Sequence, residues 1–436
     1  MRAEQGAASA QDLADASAVC PFSNDAVNED VIARELFSSP ATDKRIGVID
    51  AIFAGRVAEG ENIELSSSGG MTSWLTLKLL EAGRIDGVIH VAASSDDGAL
   101  FEYVVSTTPD ELRHRRKSQY YSTNLGDVVR QIRGDGRRYA LVGVPCFVKA
   151  ARLLARQDEV FRGQLALCIG LVCGHLKSSG FAELLAWQVG VEPKDLAKVD
   201  FRVKRADEDA ADYGFSAWRR GDPTPKTRAT RQLLGGNWGH AMFQLKACDY
   251  CDDVFAETAD VAFGDAWLPQ YASDWRGTNV IVSRRPEITQ LIQDGQRRGE
   301  IFLETLSADD AARSQAGNYR HRWDGLSLRL ADDVAKKRWV PIKRIAPGSR
   351  PVTRSRARII RLRRRLAELS HVSFAEAKAT GSLAVFESAV RPITDVMDRE
   401  YWAAEAPGLR GILRRMKWIL TSTLRRIRSR KLSNAA

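Results

Sequence analysis

Two cysteines three positions apart, Cys248 and Cys251, are the residues of this chain best suited to chemistry. A C-x-x-C pair can bring two thiolates to one metal atom, and the remaining ligands then come from elsewhere in the fold. The neighbours of the pair are charged, with Asp249 and Asp252 beside it, so it does not belong to an apolar stripe. Taken alone, the pair fits a redox dithiol or half of a zinc site equally well.

Three further cysteines lie upstream, in or just after apolar, strand-like runs. Cys146 follows residues 142–145, and Cys173 follows a run that also contains Cys168. Cys168 has only apolar neighbours and is expected to behave as a small hydrophobic core residue. Cys146 and Cys173 therefore stay candidates for a shared site with the C-x-x-C pair. Cys20, in a Cys-Pro pair, has no partner at ligand spacing and is expected to be a tether or remnant.

A Ser/Gly-rich turn at residues 66–70 precedes a predicted helix. Met71, Trp74, Leu75 and Leu79 repeat at helical spacing, and Gly83 provides the stop. Such a turn exposes backbone N–H groups that suit a phosphate of a nucleotide or flavin, although many helix caps of this kind bind nothing. Residues 117–121 add a cation, hydroxyl groups and aromatic rings, which suit a dinucleotide or a surface turn equally well.

The elements that must position these residues alternate between strands and helices. Strands are predicted near residues 45–53, 88–93, 139–144, 165–172 and 280–283, with helices between them. This order predicts an α/β fold with a largely parallel sheet flanked by helices, whose ligands gather at the carboxyl ends of the strands. Residues 199–204 alternate as an edge strand would. Arg202 and Lys204 share one face of it, either solvated or directed at an anionic substrate.

The positive net charge of +10 is a property of the C-terminal extension. Residues 343–365 hold ten basic and no acidic side chains, and residues 411–436 hold eight more, so the rest of the chain is acidic. A nucleic-acid-binding core is therefore not expected. No apolar run is long enough to span a bilayer, and the first 17 residues lack a signal-peptide pattern, so a cytoplasmic protein is expected.

Basic helices are predicted in the extension at residues 354–369 and 410–431. The second carries apolar residues on one face among arginines, a pattern typical of a helix that lies on anionic lipid or on an acidic partner. A helix packed on its own domain is the alternative.

With these residues in view, the chain resembles the family of beta subunits of the coenzyme F-420 hydrogenases and dehydrogenases, which includes 7-hydroxymethyl chlorophyll a reductase. The resemblance covers roughly residues 45–305. It is carried by a series of short motifs in order: Ser67-Ser68-Gly69-Gly70, Ile85-Asp86-Gly87-Val88, Ser118-Gln119-Tyr120, Gly143-Val144-Pro145-Cys146, Leu171-Val172-Cys173-Gly174, Phe201-Arg202-Val203-Lys204, Cys248-Asp249-Tyr250-Cys251-Asp252, Ala259-Asp260 with Gly264-Asp265, and Gly277-Thr278-Asn279.

The resemblance implies an oxidoreductase that moves electrons between a reduced carrier, ferredoxin or deazaflavin coenzyme F-420, and an organic substrate through FAD and one 4Fe-4S cluster. Thiolates suit such clusters, and a flavin can trade a hydride for single electrons. The residues that it implies as cluster ligands are Cys146, Cys173, Cys248 and Cys251. Those that it implies at or near the flavin are Ser67, Ser68, Gly69, Gly70, Ser118, Tyr120, Asp265 and Asn279.

The chain also departs from this family. Many relatives carry an N-terminal run of closely spaced cysteines, where this chain has only Cys20. One cluster and a separate electron-donor protein are therefore expected, and the extension suggests a small organic or sugar-linked substrate from surface-polysaccharide synthesis. The predicted division is an N-terminal segment (1–44), a flavin-binding region (45–130), a cysteine-bearing domain (131–325) and a basic helical tail (326–436).

Two other functions compete with this one. Four thiolates fit zinc as well as iron, so a non-redox assembly module that docks on a membrane or on a biosynthetic complex is the alternative. A cysteine nucleophile served by His175 or His240 is weaker, because neither histidine has an evident orienting partner in the sequence.

Overall fold

The computed structural model of this chain describes residues 9–58, 61–94 and 98–404. Its strands, in chain order, are β1 (Thr42–Asp43), β2 (Gly47–Val48), β3 (Ala51–Val57), β4 (Gly87–Ala93), β5 (Phe101–Ser106), β6 (Tyr139–Gly143), β7 (Leu165–Leu171), β8 (Leu196–Val203), β9 (Gly214–Arg219), β10 (Lys226–Ala229), β11 (Val261–Asp265), β12 (Asn279–Ser283) and β13 (Ile301–Thr305). Its α-helices are α1 (Ala10–Val19), α2 (Glu29–Leu36), α3 (Glu61–Glu64), α4 (Met71–Glu81), α5 (Pro109–His114), α6 (Gly126–Ile132), α7 (Pro145–Gln157), α8 (Glu159–Gln164), α9 (Gly180–Gln188), α10 (Pro269–Ala272), α11 (Pro286–Arg297), α12 (Ala308–Ser314), α13 (Ala316–Tyr319), α14 (Leu326–Ala335), α15 (Arg354–Thr380) and α16 (Leu383–Ala404).

A mixed eight-stranded sheet forms the centre of the molecule, in the order β13-β3-β12-β11-β7-β6-β4-β5. The four strands β4, β6, β7 and β11 pair in parallel, whereas β5 at one edge and β12, β3 and β13 at the other pair antiparallel. The predicted α/β class is thus confirmed, and the parallel pairing is confined to the middle of the sheet. Because β3 lies between β12 and β13, residues near the start of the chain share this sheet with residues near 300.

Both faces of the sheet are covered, which explains the near-continuous apolar runs of its central strands. Along β4, Val88 packs with Leu75 of α4 on one face. The next residue, Ile89, packs with Val148 of α7 on the other. Cys168 lies in this second core and is fully buried, as predicted for a small hydrophobic residue.

A smaller antiparallel sheet, β10-β9-β8, has its own core beside the large one. Phe201 of β8 and Phe215 of β9 pack there with Leu366 of α15 and Phe386 of α16. The predicted helix at residues 354–369 is therefore part of a longer helix that packs on the body. The predicted helix at residues 410–431 lies outside the described residues. Within the described ranges, no helix combines the length and the apolar character that a bilayer crossing requires.

Candidate cofactor site

Four cysteines, Cys146, Cys173, Cys248 and Cys251, come together at one side of the large sheet, and we call them the thiol group. Cys146 lies in the first turn of α7, which Pro145 begins. Cys173 follows β7 by two residues. Cys248 belongs to a 3-10 helix, Lys246–Tyr250, and Cys251 follows it directly. All four side chains are free thiols.

The four thiols lie within electrostatic range of one another. Burial raises the pKa of each of them, to about 12 for Cys173 and to about 11 for Cys251. The thiols of Cys251, Cys248 and Cys173 raise the pKa of Cys146 further. In the described part of the chain, no three His, Cys, Asp or Glu side chains converge as ligands of a single metal ion. Cys168 lies instead beside Asp260, whose carboxylate accepts a hydrogen bond from the backbone N–H of Cys168 at 2.6 Å, and its thiol is influenced by Arg152 and Asp260 rather than by the other cysteines.

Two further features of the thiol group are relevant to a bound cluster. The backbone N–H of Leu176 donates to Sγ of Cys248 at 3.2 Å, and hydrogen bonds to sulfur are among the features that set the potential of iron-sulfur clusters. The guanidinium of Arg322 lowers the pKa of each of the four thiols, although burial outweighs it. A positive charge therefore faces all four sulfur atoms.

A cleft of about 290 Å³ opens next to the thiol group, at the carboxyl ends of β6, β7 and β11. Cys173 lies in its wall, so the thiol group and the cleft are contiguous. The cleft lies where the strand order predicted a ligand site. Of the residues that the family resemblance implied for flavin binding, those that line the cleft are Ser67, Ser68, Gly70, Ser118, Tyr120, Asp265 and Asn279.

The Ser/Gly-rich turn is held in place by contacts from β12 and from the segment around Ser118. Asn279 accepts a hydrogen bond from the N–H of Met71 at 3.2 Å, and the N–H of Ser118 donates to Oγ of Ser67 at 2.8 Å. A Cβ atom on Gly69 would lie 2.7 Å from the carbonyl oxygen of Gly55, so only glycine fits at this position. Gly69 therefore packs against the backbone of β3 and does not line the cleft, whereas Gly70, at φ +77°, does.

Arg202 and Lys204 do not line the cleft themselves, but each of them contacts residues that do. Arg202 is buried and donates from Nη1 to the hydroxyl of Tyr120 and to Oδ2 of Asp265, both at 3.2 Å. The ammonium of Lys204 donates to the carbonyl oxygens of Ile63, Ser68 and Arg276 at 2.5–2.9 Å. Burial lowers the pKa of Lys204 to about 8. The sequence left open whether Arg202 and Lys204 are solvated or directed at an anionic substrate. The contacts of both side chains do not fit a solvated face.

Two residues of the site, Trp238 and His90, were not predicted from the sequence. Trp238 forms part of the cleft wall, with its ring 4.8 Å from that of Tyr120 and 4.7 Å from that of His175. His90, on β4, lines the cleft and shares a hydrogen bond with Oγ of Ser106 at 2.8 Å. Neither residue stands in a motif, so only the fold brings it to the site.

The two histidines of the nucleophile hypothesis occupy different surroundings. Nε2 of His175 is buried and has no hydrogen-bond partner among the described residues. Burial holds its pKa well below the usual range. His240 lies 2.7 Å from the carboxylate of Asp398, which belongs to α16. The structure thus supplies an orienting carboxylate for His240, which the sequence did not indicate.

Comparison with known protein families identifies the class of protein that has this fold and this site. The N-terminal part of the family described as coenzyme F420 hydrogenase/dehydrogenase, beta subunit, matches residues 52–130, and the C-terminal part matches residues 136–309. Together these two matches cover more than half of the chain. The chain belongs to this family of coenzyme F-420 hydrogenase and dehydrogenase beta subunits.

Individual relatives agree with this assignment. The beta subunit of the coenzyme F-420 hydrogenase of Methanococcus voltae is 27% identical over 266 residues, which cover 59% of this chain and 84% of that protein. One subunit of the F(420)H(2) dehydrogenase of Methanosarcina mazei is 31% identical over 108 residues, which cover 25% of this chain and 30% of that protein. By their names, both relatives are oxidoreductase subunits.

A solved structure shares the fold. It is a xenon-derivatised F-420-reducing NiFe hydrogenase complex from Methanosarcina barkeri, and one of its chains aligns with a TM-score of 0.51 at 16% identity. The alignment covers 67% of this chain and 96% of that chain. At this identity, the similarity concerns the fold alone.

Proposed function

We propose that this protein is an oxidoreductase that binds FAD in the cleft and one 4Fe-4S cluster on the thiol group, and that it transfers electrons between a reduced carrier and an organic substrate. The observation that carries the proposal is the contiguity of the two regions, because Cys173 belongs to both. When bound, a flavin would exchange a hydride with an organic partner, and an iron-sulfur cluster would exchange single electrons with a protein partner.

The residues present fit these two groups. Three buried thiols, the half-buried Cys146 and a nearby guanidinium suit an anionic iron-sulfur cluster. At the cleft, Gly70 provides no side-chain cap for α4, and Asn279 takes up only the N–H of Met71. The N–H groups of Thr72 and Ser73 can therefore serve an anion such as a flavin pyrophosphate. Ser67, Ser68 and Ser118 add hydroxyl groups to this wall.

Arg202, Asp265 and Tyr120 would orient the substrate end of the cleft. Their hydrogen bonds fix the carboxylate and the phenol hydroxyl in place before a ligand binds. Lys204 would act indirectly, because its three carbonyl partners include Ser68 of the flavin turn. We therefore assign Arg202 to substrate positioning and Lys204 to support of the turn.

The partners belong to the same proposal. The names of the relatives favour coenzyme F-420 as the reduced carrier, with a ferredoxin-like protein as the second choice. The small organic substrate would be sugar-linked, in surface-polysaccharide synthesis, and the basic residues 410–431 would hold the protein to anionic lipid. Sedimentation with lipid vesicles tests this membrane contact: the protein should bind vesicles of acidic lipid and should not bind vesicles of neutral lipid.

Composition analysis of anaerobically purified protein and of two cysteine variants tests the proposed function. The wild-type chain should contain roughly four iron and four sulfide atoms and one FAD. Cys248→Ser should lose most of the iron and keep the flavin. Cys168→Ser is the matched control, because this thiol is equally buried but lies outside the thiol group, and it should keep both.

Zinc in place of iron, without flavin, would contradict the proposal and favour the assembly module. Equal iron loss from the two cysteine variants would show that the thiol group is not the ligand set. If Cys146→Ser instead retained iron and flavin but lost a hydrolytic activity, the nucleophile hypothesis would replace this one.

A further inference from the structure

Arg322 is a buried cation without a carboxylate partner in the described part of the chain. It lies in a short π-helical segment, Arg320–Gly325, and is 2% exposed. Its Nη2 donates to the carbonyl oxygen of Cys173 at 2.9 Å. Its Nε and Nη1 have no hydrogen-bond partner among the described residues. Short π-helical segments occur frequently at functional sites.

The carboxylates of Asp249 and Asp252, inside and next to the C-x-x-C pair, are committed to other cations. Asp249, inside the C-x-x-C pair, lies 3.0 Å from Arg364 and 3.7 Å from Arg329. Asp252 lies 3.4 Å from both Lys343 and Arg344. A buried charge is costly unless an anion and hydrogen bonds compensate it. The four cysteine sulfur atoms are the groups that act most strongly on Arg322, because together they raise its pKa against the opposing effect of burial.

We propose that Arg322 is the counter-charge of the iron-sulfur cluster on the thiol group and raises the reduction potential of that cluster. This inference rests on the proposed function. A cluster with four thiolates is anionic and gains one more negative charge when it is reduced, so a cation beside it stabilises the reduced form more strongly than the oxidised form. The two unpartnered N–H groups of Arg322 supply donors for sulfur atoms on the same side.

This charge comes from a part of the chain beyond the family match, which ends at residue 309. The position of the segment is fixed by a hydrogen bond from Nε1 of Trp323 to the carbonyl oxygen of Asp252 at 3.1 Å. Arg329 of α14 donates to the carbonyl oxygen of His321 at 3.2 Å. Residues 320–329, which follow the family match, therefore take part in the thiol site.

An EPR-monitored redox titration of Arg322→Met, Arg322→Lys and the wild type tests the inference. In Arg322→Met, the ratio of reduced to oxidised cluster at a given solution potential should fall at least tenfold, which corresponds to 59 mV for one electron. Arg322→Lys keeps the charge, so its reduction potential should differ from that of the wild type by less than half as much as the potential of Arg322→Met does. Arg56→Met is the control, because this guanidinium pairs with Asp274, and it should leave the potential unchanged.

An unchanged potential in iron-loaded Arg322→Met would overturn the inference. A second outcome is that Arg322→Met folds but holds no iron. In that case, iron retained by Arg322→Lys supports the inference, whereas loss of iron from both variants overturns it. The thermal unfolding of the metal-free proteins checks the fold: metal-free Arg322→Met should be at least as stable as the wild type, and an unfolded variant would give Arg322 a structural role instead. Wild-type protein that binds no iron would contradict the proposed function itself, which is a different result from all of these.

Discussion

Arg202 and Arg322 are both buried arginines at the candidate site, 5% and 2% exposed, but their surroundings differ. Arg202 donates to Asp265 and Tyr120 and lies 4.2 Å from the ring centre of Tyr213. Arg322 donates to one carbonyl oxygen and faces four thiols. The charge of the first arginine is compensated by a carboxylate of the protein, although its Nε has no hydrogen-bond partner among the described residues. The second arginine has no carboxylate partner among the described residues, and an anionic cluster on the thiol group, as we propose, would compensate it.

The largest effect is expected when Arg202 loses its carboxylate partner. Asp265→Leu would leave Arg202 buried without a carboxylate, and the free energy of unfolding of the metal-free protein should fall by about 3 kcal/mol. The double variant Arg202→Met/Asp265→Leu should recover at least half of this loss, because it removes both charges. Urea unfolding followed by tryptophan fluorescence measures both values. If the double variant loses as much free energy of unfolding as Arg202→Met and Asp265→Leu lose together, the two residues are not energetically coupled.

A smaller effect should separate the cleft from the thiol group. Gly69→Ala places a Cβ atom 2.7 Å from the carbonyl oxygen of Gly55 and should cost about 2 kcal/mol while it displaces the flavin turn. Flavin content should fall at least tenfold, and iron content should stay at the wild-type level. Gly163→Ala is the matched control, since a Cβ atom there meets nothing within 4 Å, and it should keep both cofactors. Parallel loss of iron in Gly69→Ala would mean that the two regions do not bind their groups independently.

The smallest effect concerns His90 in the cleft wall. Burial, and then the charge of Arg115, lower the pKa of His90 from its usual 6.5 to about 4. The unfolded chain thus takes up a proton below about pH 6.5 that the folded chain refuses, so stability falls with pH from 6.5 towards 4. Between pH 7 and about pH 5.5 this should cost about 1 kcal/mol.

In His90→Leu, this part of the pH dependence should disappear, as read from the urea midpoints at the two pH values. His114→Leu, which changes an exposed histidine on α5, should retain it. An unchanged pH dependence in His90→Leu would show that His90 does not resist protonation in the folded cleft.

Local sequence patterns predicted the central sheet and the turn that precedes α4 well. The strands β4, β6 and β7 and the helices α4, α7 and α9 were all found from apolar spacing, and their order implied the parallel pairing. The edge strand β5 was missed although Asp97-Gly98, a typical hairpin turn sequence, stands between it and β4; residues 101–106 carry the polar Glu102 and end in Ser106, which weakens their apolar pattern. The antiparallel partners β11 and β12 are paired by the fold, which a linear pattern does not specify.

The thiol side was less predictable. The cysteines themselves are rare and easily noticed, whereas Arg322 is one of many arginines in the chain and lies 71 positions after Cys251. The sequence also did not specify where the basic helix at residues 354–369 packs. In the structure, Leu366 of α15 packs in the core beside the smaller sheet.

The most direct test of the central claim is an anaerobic reductive titration of the purified wild-type chain, followed by absorption and EPR on the same sample. We expect that flavin absorbance bleaches and that the EPR signal of a reduced iron-sulfur cluster appears in the same chains, and that Cys248→Ser retains only the flavin change. Flavin that bleaches in wild-type protein without any cluster signal, or a colourless protein that contains zinc, would contradict the proposed pair of cofactors.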